Sequence, residues 1–202
     1  MLEIKNLKKS YKDHLIFENF NLKISKGEFV IISGMSGSGK TTLLNIIGSL
    51  EDFDSGKVIF DGIDISLRKN QQKYLGEKIA FIFQNYALLE NKTVRENLDL
   101  IPEKYRTNIS IDQALEMVGM KDKIDSKVYT LSGGEQQRVA VARVMVKKCE
   151  LILCDEPTGS LDKYNAHRVI DLIKGLNQAG KTILLVSHDE KIKEIGDRII
   201  KL

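Results

Sequence analysis

The sequence predicts an α/β fold built on a mainly parallel sheet, and three observations carry that prediction. Four short, almost wholly apolar runs recur along the chain: FVIIS (29–33), IAFIF (79–83), LILC (151–154) and TILLVS (182–187). Unbroken β-branched runs of this length suit parallel strands covered on both faces. Helical patterns lie between them, and alternation of strand with helix marks a parallel sheet. The glycine-rich stretch GMSGSGKT (34–41) directly follows the first run and merges into TTLLNIIGSL, a helix pattern.

Taken in order, LEIKNLKKSY (2–11), FENFNLKIS (17–25) and GKVIFDG (56–62) alternate apolar with polar residues. They read as a small antiparallel sheet flanking the core. From about 87 to 130 no strong strand run occurs, and TVRENLDLI and SIDQALEMVGM are helix-like. LSGGEQQRVAVAR (131–143) then sets Ser132, Gly133 and Gly134 ahead of a long helix-forming run. The expectation is one domain over 1–202 with a helical subdomain inserted at about 87–146. Within 163–178, Val169, Leu172, Ile173 and Leu176 form one apolar stripe, with Gly180 where a C-terminal cap belongs.

Composition narrows the class. With 42% hydrophobic and 29% charged residues the 202-residue chain is ordinary globular protein. A net charge of +3 is too mild to argue for nucleic acid. The lysines at 121, 123, 127, 147 and 148 read as solvated surface. Glu3 and Lys5 interrupt the first apolar residues, unlike a signal peptide, and no apolar run approaches the roughly 18 residues of a membrane span. A soluble chain is expected, with any spans supplied by another chain. Cys149 and Cys154 allow a disulfide or a metal site, but two buried thiols are the simpler reading.

The chemistry concentrates in a few places. GMSGSGKT matches G-x-x-x-x-G-K-[ST], whose glycines let successive N–H groups aim at phosphate oxygens. In this loop Gly34, Ser36, Gly37, Ser38, Gly39, Lys40, Thr41 and Thr42 would hold phosphates. Lys40 would neutralise the β- and γ-phosphates and the Thr41 hydroxyl would ligate magnesium. A chance match would arise in about one chain of this length in a hundred. LILC runs into Asp155 and Glu156; an acid at this strand end holds magnesium in phosphate-loop ATPases, which leaves Glu156 free as general base. Strand neighbours normally point to opposite faces, so both reach one site only if Pro157 and Gly159 end the strand there. His188 and Gln84 stand at two more strand ends, where parallel sheets gather ligand sites; Gln84 would reach the magnesium or its water. Tyr11 is either an adenine platform or a packing aromatic at a strand edge. His14 and His167 are given no role.

Together, Tyr11, GMSGSGKT, Gln84, LSGGEQ, LILCDE, SLD (160–162) and His188 resemble the ATP-binding subunit of ABC transporters, over essentially the whole chain. The resemblance implies a RecA-like phosphate-loop NTPase core, an antiparallel subdomain and an inserted helical subdomain. It also explains a second anion cradle in one domain. Two such subunits, as a homodimer here, would pair head to tail, each ATP held between one copy's phosphate loop and the Ser132, Gly133, Gly134 and Glu135 of the other. Asp162 would lie at the same interface. The resemblance further implies ATP and Mg2+ as cofactors, catalytic roles for Glu156, His188 and Lys40, and magnesium contacts from Thr41, Gln84 and Asp155. The partner would be a separate transmembrane permease, with the subunit cytoplasmic and peripheral on the inner face of the plasma membrane.

EPTGSLD, IAFIFQ and LSGGEQQRVAVAR look most like the group that powers macrolide, lipoprotein and antimicrobial-peptide export or release. The chain departs from that group at Glu90, where proline is usual, and at Val128, where histidine often stands. Tyr86, Leu88 and Leu89 either form part of a groove for a permease helix or pack within the insert. An ATPase module driving transmembrane signalling or cell-wall hydrolase regulation would look identical in sequence. ABC ATPases acting on DNA or ribosomes usually carry long coiled-coil insertions or two fused ATPase units, and neither is the expectation here. A phosphate-loop kinase would leave LSGGEQ and SLD unexplained.

Overall fold

The computed structural model describes residues 1–12 and 14–202, with side chains at all of these except 190 and 191. Strands β1 (Leu2–Tyr11) and β2 (His14–Ile24) form an antiparallel pair with Leu2 opposite Ile24 and Tyr11 opposite His14. Leu2, Ile4 and Leu7 point inward while Lys5, Asn6 and Lys8 are exposed, the alternation of a half-covered sheet. Then follow β3 (Phe29–Ser33), α1 (Lys40–Ile47), β4 (Ser55–Phe60) and β5 (Ile63–Asp64). α2 (Arg68–Lys73) runs through a π-helical turn at Tyr74–Lys78 into β6 (Ile79–Phe83). α3 (Val94–Asp99), α4 (Ile111–Met117) and α5 (Gly133–Val146) precede β7 (Leu151–Asp155). The chain continues through α6 (Lys163–Gln178), β8 (Thr182–Val186), α7 (Glu190–Lys193) and β9 (Arg198–Lys201).

Two sheets result. The antiparallel one has the order β2-β1-β4-β5, and the other, with every pairing parallel, has the order β6-β7-β8-β3-β9. Period two explains why the parallel strands read as unbroken apolar runs. Ile31, Ile82, Ile152, Cys154, Ile183 and Leu185 face a core shared with α3, α4, α5 and α6. Their neighbours Val30, Ile32, Ile79, Leu151, Leu153, Leu184 and Val186 face a second core shared with α1 and the antiparallel sheet. Each such aliphatic side chain contributes about 1.5–3 kcal/mol when fully buried, so none of these named positions tolerates a polar residue cheaply.

The helical segment between β6 and β7 is held by its caps. Thr93 with Glu96, Ser110 with Gln113 and Ser132 with Glu135 each form a reciprocal capping box opening α3, α4 and α5. α5 is buried almost all round, because α3 and α4 cover one side and β6 and α6 the other. The α6 stripe buries Val169, Ile173 and Leu176 with Leu172 at its margin, and Gly180 adopts φ 89° just past the helix end. Cys149 and Cys154 are free buried thiols, both pushed up from the ordinary range by burial. Among the described residues no helix is long and apolar enough to cross a membrane.

Four elements have no counterpart in the sequence reading: β5, α2 with its π-helical turn, α7 and β9. β9 is an edge strand of four residues with Ile199 exposed, so it never becomes an apolar run.

Asn97, fully buried on α3, accepts from the Leu89 N–H at 2.7 Å and donates to the carbonyls of Leu89 at 3.1 Å and Thr93 at 2.9 Å. Asn97→Ala should therefore lower stability by about 2–3 kcal/mol, read as a reduced urea midpoint with an unchanged m-value.

Candidate nucleotide site

The loop between β3 and α1 is shaped by glycines at two close approaches. Gly39, at φ 94°, stands at the N-cap of α1, where a Cβ would lie 2.5 Å from Ile16 Cγ2 and 2.9 Å from the Phe17 ring. A Cβ on Gly34 would meet the Leu202 carbonyl oxygen at 2.5 Å and Ser38 Oγ at 2.7 Å. No side chain caps α1 and no acid stands in its first turn. Its N–H groups and the positive end of its dipole are thus available to an anion. The Lys40 ammonium, almost fully buried, donates to the carbonyls of Gly34 at 3.0 Å and Met35 at 2.7 Å, arching over the loop. Ser38 Oγ is buried with no partner in the chain; an orphan donor among uncapped amides fits a phosphate oxygen.

β7 delivers the carboxylates. Asp155 Oδ1 accepts from the Thr41 hydroxyl at 3.3 Å, so the end of β7 and the start of α1, far apart in sequence, meet. Burial pushes the Asp155 carboxyl above its usual range and Glu156 adds to this, while the Thr41 hydroxyl and Lys40 pull it back. Glu156 adopts φ 42°, a left-handed conformation uncommon outside glycine. The chain thus turns at Glu156 itself, ahead of Pro157 and Gly159, with Glu156 on the cavity over the loop and Asp155 on a neighbouring recess. Glu156 Oε2 lies 3.2 Å from His188 Nδ1.

A cavity of about 660 Å³ opens over the loop, lined by Tyr11, Gly34, Ser36, Gly37, Gly39, Lys40, Thr41, Thr42, Glu156 and His188. This is within the range of small-molecule pockets, roughly 300–1,000 Å³. His14 and Ile16, given no role by the sequence reading, complete the wall; only their nearness to Tyr11 hinted at it. Tyr11 is half exposed, and its hydroxyl donates to Glu51 while the Lys9 ammonium lies 4.4 Å from its ring centroid.

The other expected residues stand apart from this cavity. Gln84 lines a neighbouring recess with Phe83, Asn85, Tyr86, Asp155 and Ser160, and its Nε2 lies 3.4 Å from Ser160 Oγ. Ser132, Gly133, Gly134 and Glu135 line neither. Ser132 Oγ accepts from the Glu135 N–H at 3.3 Å, and Glu135 Oε2 from the Ser132 N–H at 2.8 Å, which holds the Glu135 carboxyl below its usual range. Asp162 caps α6 by accepting from Asn165 N at 2.9 Å and Asn165 Nδ2 at 2.6 Å. Asn165 Oδ1 in turn accepts from Arg138 on α5 at 2.8 Å.

Gln137, also on α5 and fully buried, donates to the Pro157 carbonyl at 2.7 Å and the Phe83 carbonyl at 3.3 Å. It ties the helix that Ser132 opens to the ends of β6 and β7. Asn165, Arg138 and Gln137 were not singled out from sequence, because a polar residue on a helix shows no partner there. An apolar groove of about 350 Å³ lies beside β6, lined chiefly by Leu50, Leu75, Phe81, Phe83, Ala87 and Val144. Ala87 lines it, but Tyr86 and Leu89 are not among its walls and Leu88 packs against the core.

A glycine-rich loop with a buried lysine, feeding a helix beside a carboxylate-tipped parallel strand, defines a phosphate-loop nucleoside triphosphatase. The family model described as ABC transporter matches residues 17–159. The macrolide export ATP-binding/permease protein MacB of Campylobacter jejuni is 42% identical over 209 residues, covering 100% of this chain and 33% of that protein. The uncharacterized ABC transporter ATP-binding protein YvrO of Bacillus subtilis is 40% identical over 212 residues, covering 99% of this chain and 92% of its own. A solved dimeric structure of the ATP-binding cassette MJ0796, in a post-hydrolysis state bound to ADP and Pi, superposes with a TM-score of 0.88 at 38% identity, covering 100% of this chain and 94% of that one. The chain belongs to the ABC transporter family and is an ATP-binding, ATP-hydrolysing cassette of it. It spans about a third of the length of the macrolide export relatives.

A Cβ on Gly134 would lie 2.3 Å from Asn165 Cγ. Gly134→Ala should cost about 1–3 kcal/mol by overpacking. Asn165→Ala in the same chain should recover part of that loss, a non-additivity that a urea-denaturation double-mutant cycle measures.

Proposed function

We propose that the cassette binds ATP in the Lys40 cavity and closes on it with a second copy, head to tail, to power a separate membrane permease. One observation carries the pairing. The start of α5, with Ser132, Gly133, Gly134 and Glu135, is absent from the walls of the cavity that holds Lys40. In a two-fold pair each copy's Ser132, Gly133, Gly134 and Glu135 would serve the nucleotide of its mate, giving two equivalent sites. The Ser132 hydroxyl already accepts the Glu135 N–H, which leaves its own proton for a γ-phosphate oxygen. Asp162, held to the same helix through Asn165 and Arg138, would move with it.

Within one site the residues divide the work. Lys40 leaves the loop carbonyls to meet the β- and γ-phosphates, joined by the amides of the loop and the Ser38 hydroxyl. Tyr11 stacks on the base. Among the described residues no three His, Cys, Asp or Glu side chains are grouped to hold a metal unaided, which fits magnesium, an ion bound by one or two carboxylates plus substrate phosphates. Thr41 and Asp155 would hold it, with Gln84 reaching in from the adjoining recess, and when bound it supplies charge neutralisation at the phosphates. Glu156 takes a proton from the attacking water, and His188, at 3.2 Å from its carboxylate, orients it.

Charge-assisted hydrogen bonds contribute about 1.5–3 kcal/mol each. Losing two or three of them with the γ-phosphate approaches the roughly 5.5 kcal/mol that takes an equilibrium from 99:1 to 1:99. ATP therefore closes the pair and hydrolysis releases it. The segment at about 87–146 acts as a subdomain that turns on the core through the Gln137 ties. The groove lined by Leu50, Phe81, Phe83 and Ala87 receives a permease helix, which places the cassette on the inner face of the plasma membrane. The likeness to macrolide export proteins supports export or extraction of a drug-like, peptide or lipoprotein substrate.

Glu156→Gln should bind ATP yet stay paired, eluting at twice the monomer mass in magnesium-ATP by size exclusion with light scattering. A monomer at saturating ATP would contradict the pairing. Leu50→Asp, at the groove's rim, should abolish co-purification with the permease while leaving the ATPase rate of the isolated cassette unchanged.

A further inference from the structure

Behind the Tyr11 ring stands a charged clamp. The Lys9 ammonium, nine-tenths buried, lies 4.4 Å from the ring centroid, 2.9 Å from Glu51 Oε1 and 2.9 Å from the Asp52 carbonyl oxygen. Glu51 also accepts the Tyr11 hydroxyl proton. Tyr11 lines the nucleotide cavity, whereas Lys9 and Glu51 are not among its walls. They meet the ring and its hydroxyl without forming part of the cavity's wall. The ionised pair is self-consistent. Although burial alone would raise the Glu51 carboxyl, the hydrogen bonds from Lys9 and Tyr11 keep it below its usual range. The Lys9 ammonium is held above its own range, chiefly by its hydrogen bond to Glu51.

The placement in the chain gives this clamp a consequence. Lys9 and Tyr11 end β1, while Glu51 and Asp52 follow the turn that closes α1, with Ser49 at φ 53°. The clamp thus ties the base-facing ring to the far end of the helix whose N-terminus faces the phosphates, a helix about 12 Å long at 1.5 Å per residue. A tyrosine at a strand end with half its surface exposed has two soft torsions; held at its hydroxyl and over one face, it keeps one orientation. Freezing such a side chain beforehand removes an ordering cost otherwise met on binding.

We infer that Glu51 and Lys9 are positioning residues that pre-set Tyr11 as a base platform, and so govern the part of ATP affinity that depends on the base rather than on the phosphates. The inference rests on the reading of Tyr11 as the base contact. The test compares ATP with inorganic tripolyphosphate, which keeps the phosphate contacts and lacks a base, by competition against a fluorescent nucleotide on the full chain. Glu51→Ala and Lys9→Met should each weaken ATP about three- to tenfold and leave tripolyphosphate unchanged. Tyr11→Ala should weaken ATP at least as much, again sparing tripolyphosphate. If Tyr11→Ala leaves the ratio of the two affinities unaltered, the base-platform reading itself falls and the inference with it. If Tyr11→Ala shifts that ratio but Glu51→Ala and Lys9→Met do not, the inference alone is overturned. Equal weakening of both ligands by Glu51→Ala would also overturn it, because the residue would then act on the fold.

Discussion

An uncapped helix N-terminus beside a buried ammonium is the constraint on which the molecule is organised. Every other long helix here closes its first turn with a side chain: Ser132 for α5 and Asp162 for α6. α1 does not, and Gly39 at its N-cap offers no side chain at all. Unmatched amides and the Lys40 charge are costly to hold together without an anion, so the surrounding fold must impose them. It does so by flanking β3 with β8 on one side and β9 on the other, and by packing Ile16 and Phe17 of the antiparallel sheet against Gly39. The antiparallel layer is thus part of the phosphate site and not a decoration on it.

The same constraint separates two halves of the chemistry. Thr41, Asp155, Glu156 and His188 converge at the ends of α1, β7 and β8. The start of α5 sits outside their cavity but is linked towards it by polar contacts: the buried Gln137 to the Pro157 carbonyl, and Arg138 through half-buried Asn165 to exposed Asp162. Such contacts are expensive to break once buried. A change at the nucleotide that displaces the segment after Glu156 must therefore be felt along α5, and through α5 at the apolar groove that Val144 helps to line. Under the function proposed above, α5 would be the route from bond cleavage to a partner docked in that groove.

Much of this was legible in the amino-acid sequence, for identifiable reasons. The four parallel strands stood out because both their faces are buried, and the phosphate loop because glycine spacing is itself the chemistry. What escaped has equally definite causes. β9 is an exposed edge strand, so its pattern is weak. The backbone turn after Asp155 is made at Glu156, where sequence pointed to Pro157 and Gly159. Of the two readings left open for Tyr86, Leu88 and Leu89, the packing one holds for Leu88, which lies against the core, while Ala87 lines the apolar groove. Lys9 and Glu51 are forty-two positions apart, and nothing local in either segment announces that they meet around one tyrosine.

The central claim is that one nucleotide is gripped by two chains. A crystal structure of the Glu156→Gln form with magnesium-ATP measures it directly. The account predicts Lys40 of one copy and Ser132 of its mate within hydrogen-bonding reach of the same triphosphate. A nucleotide bound at Lys40 with Ser132 of every neighbouring copy remote from it would contradict the account.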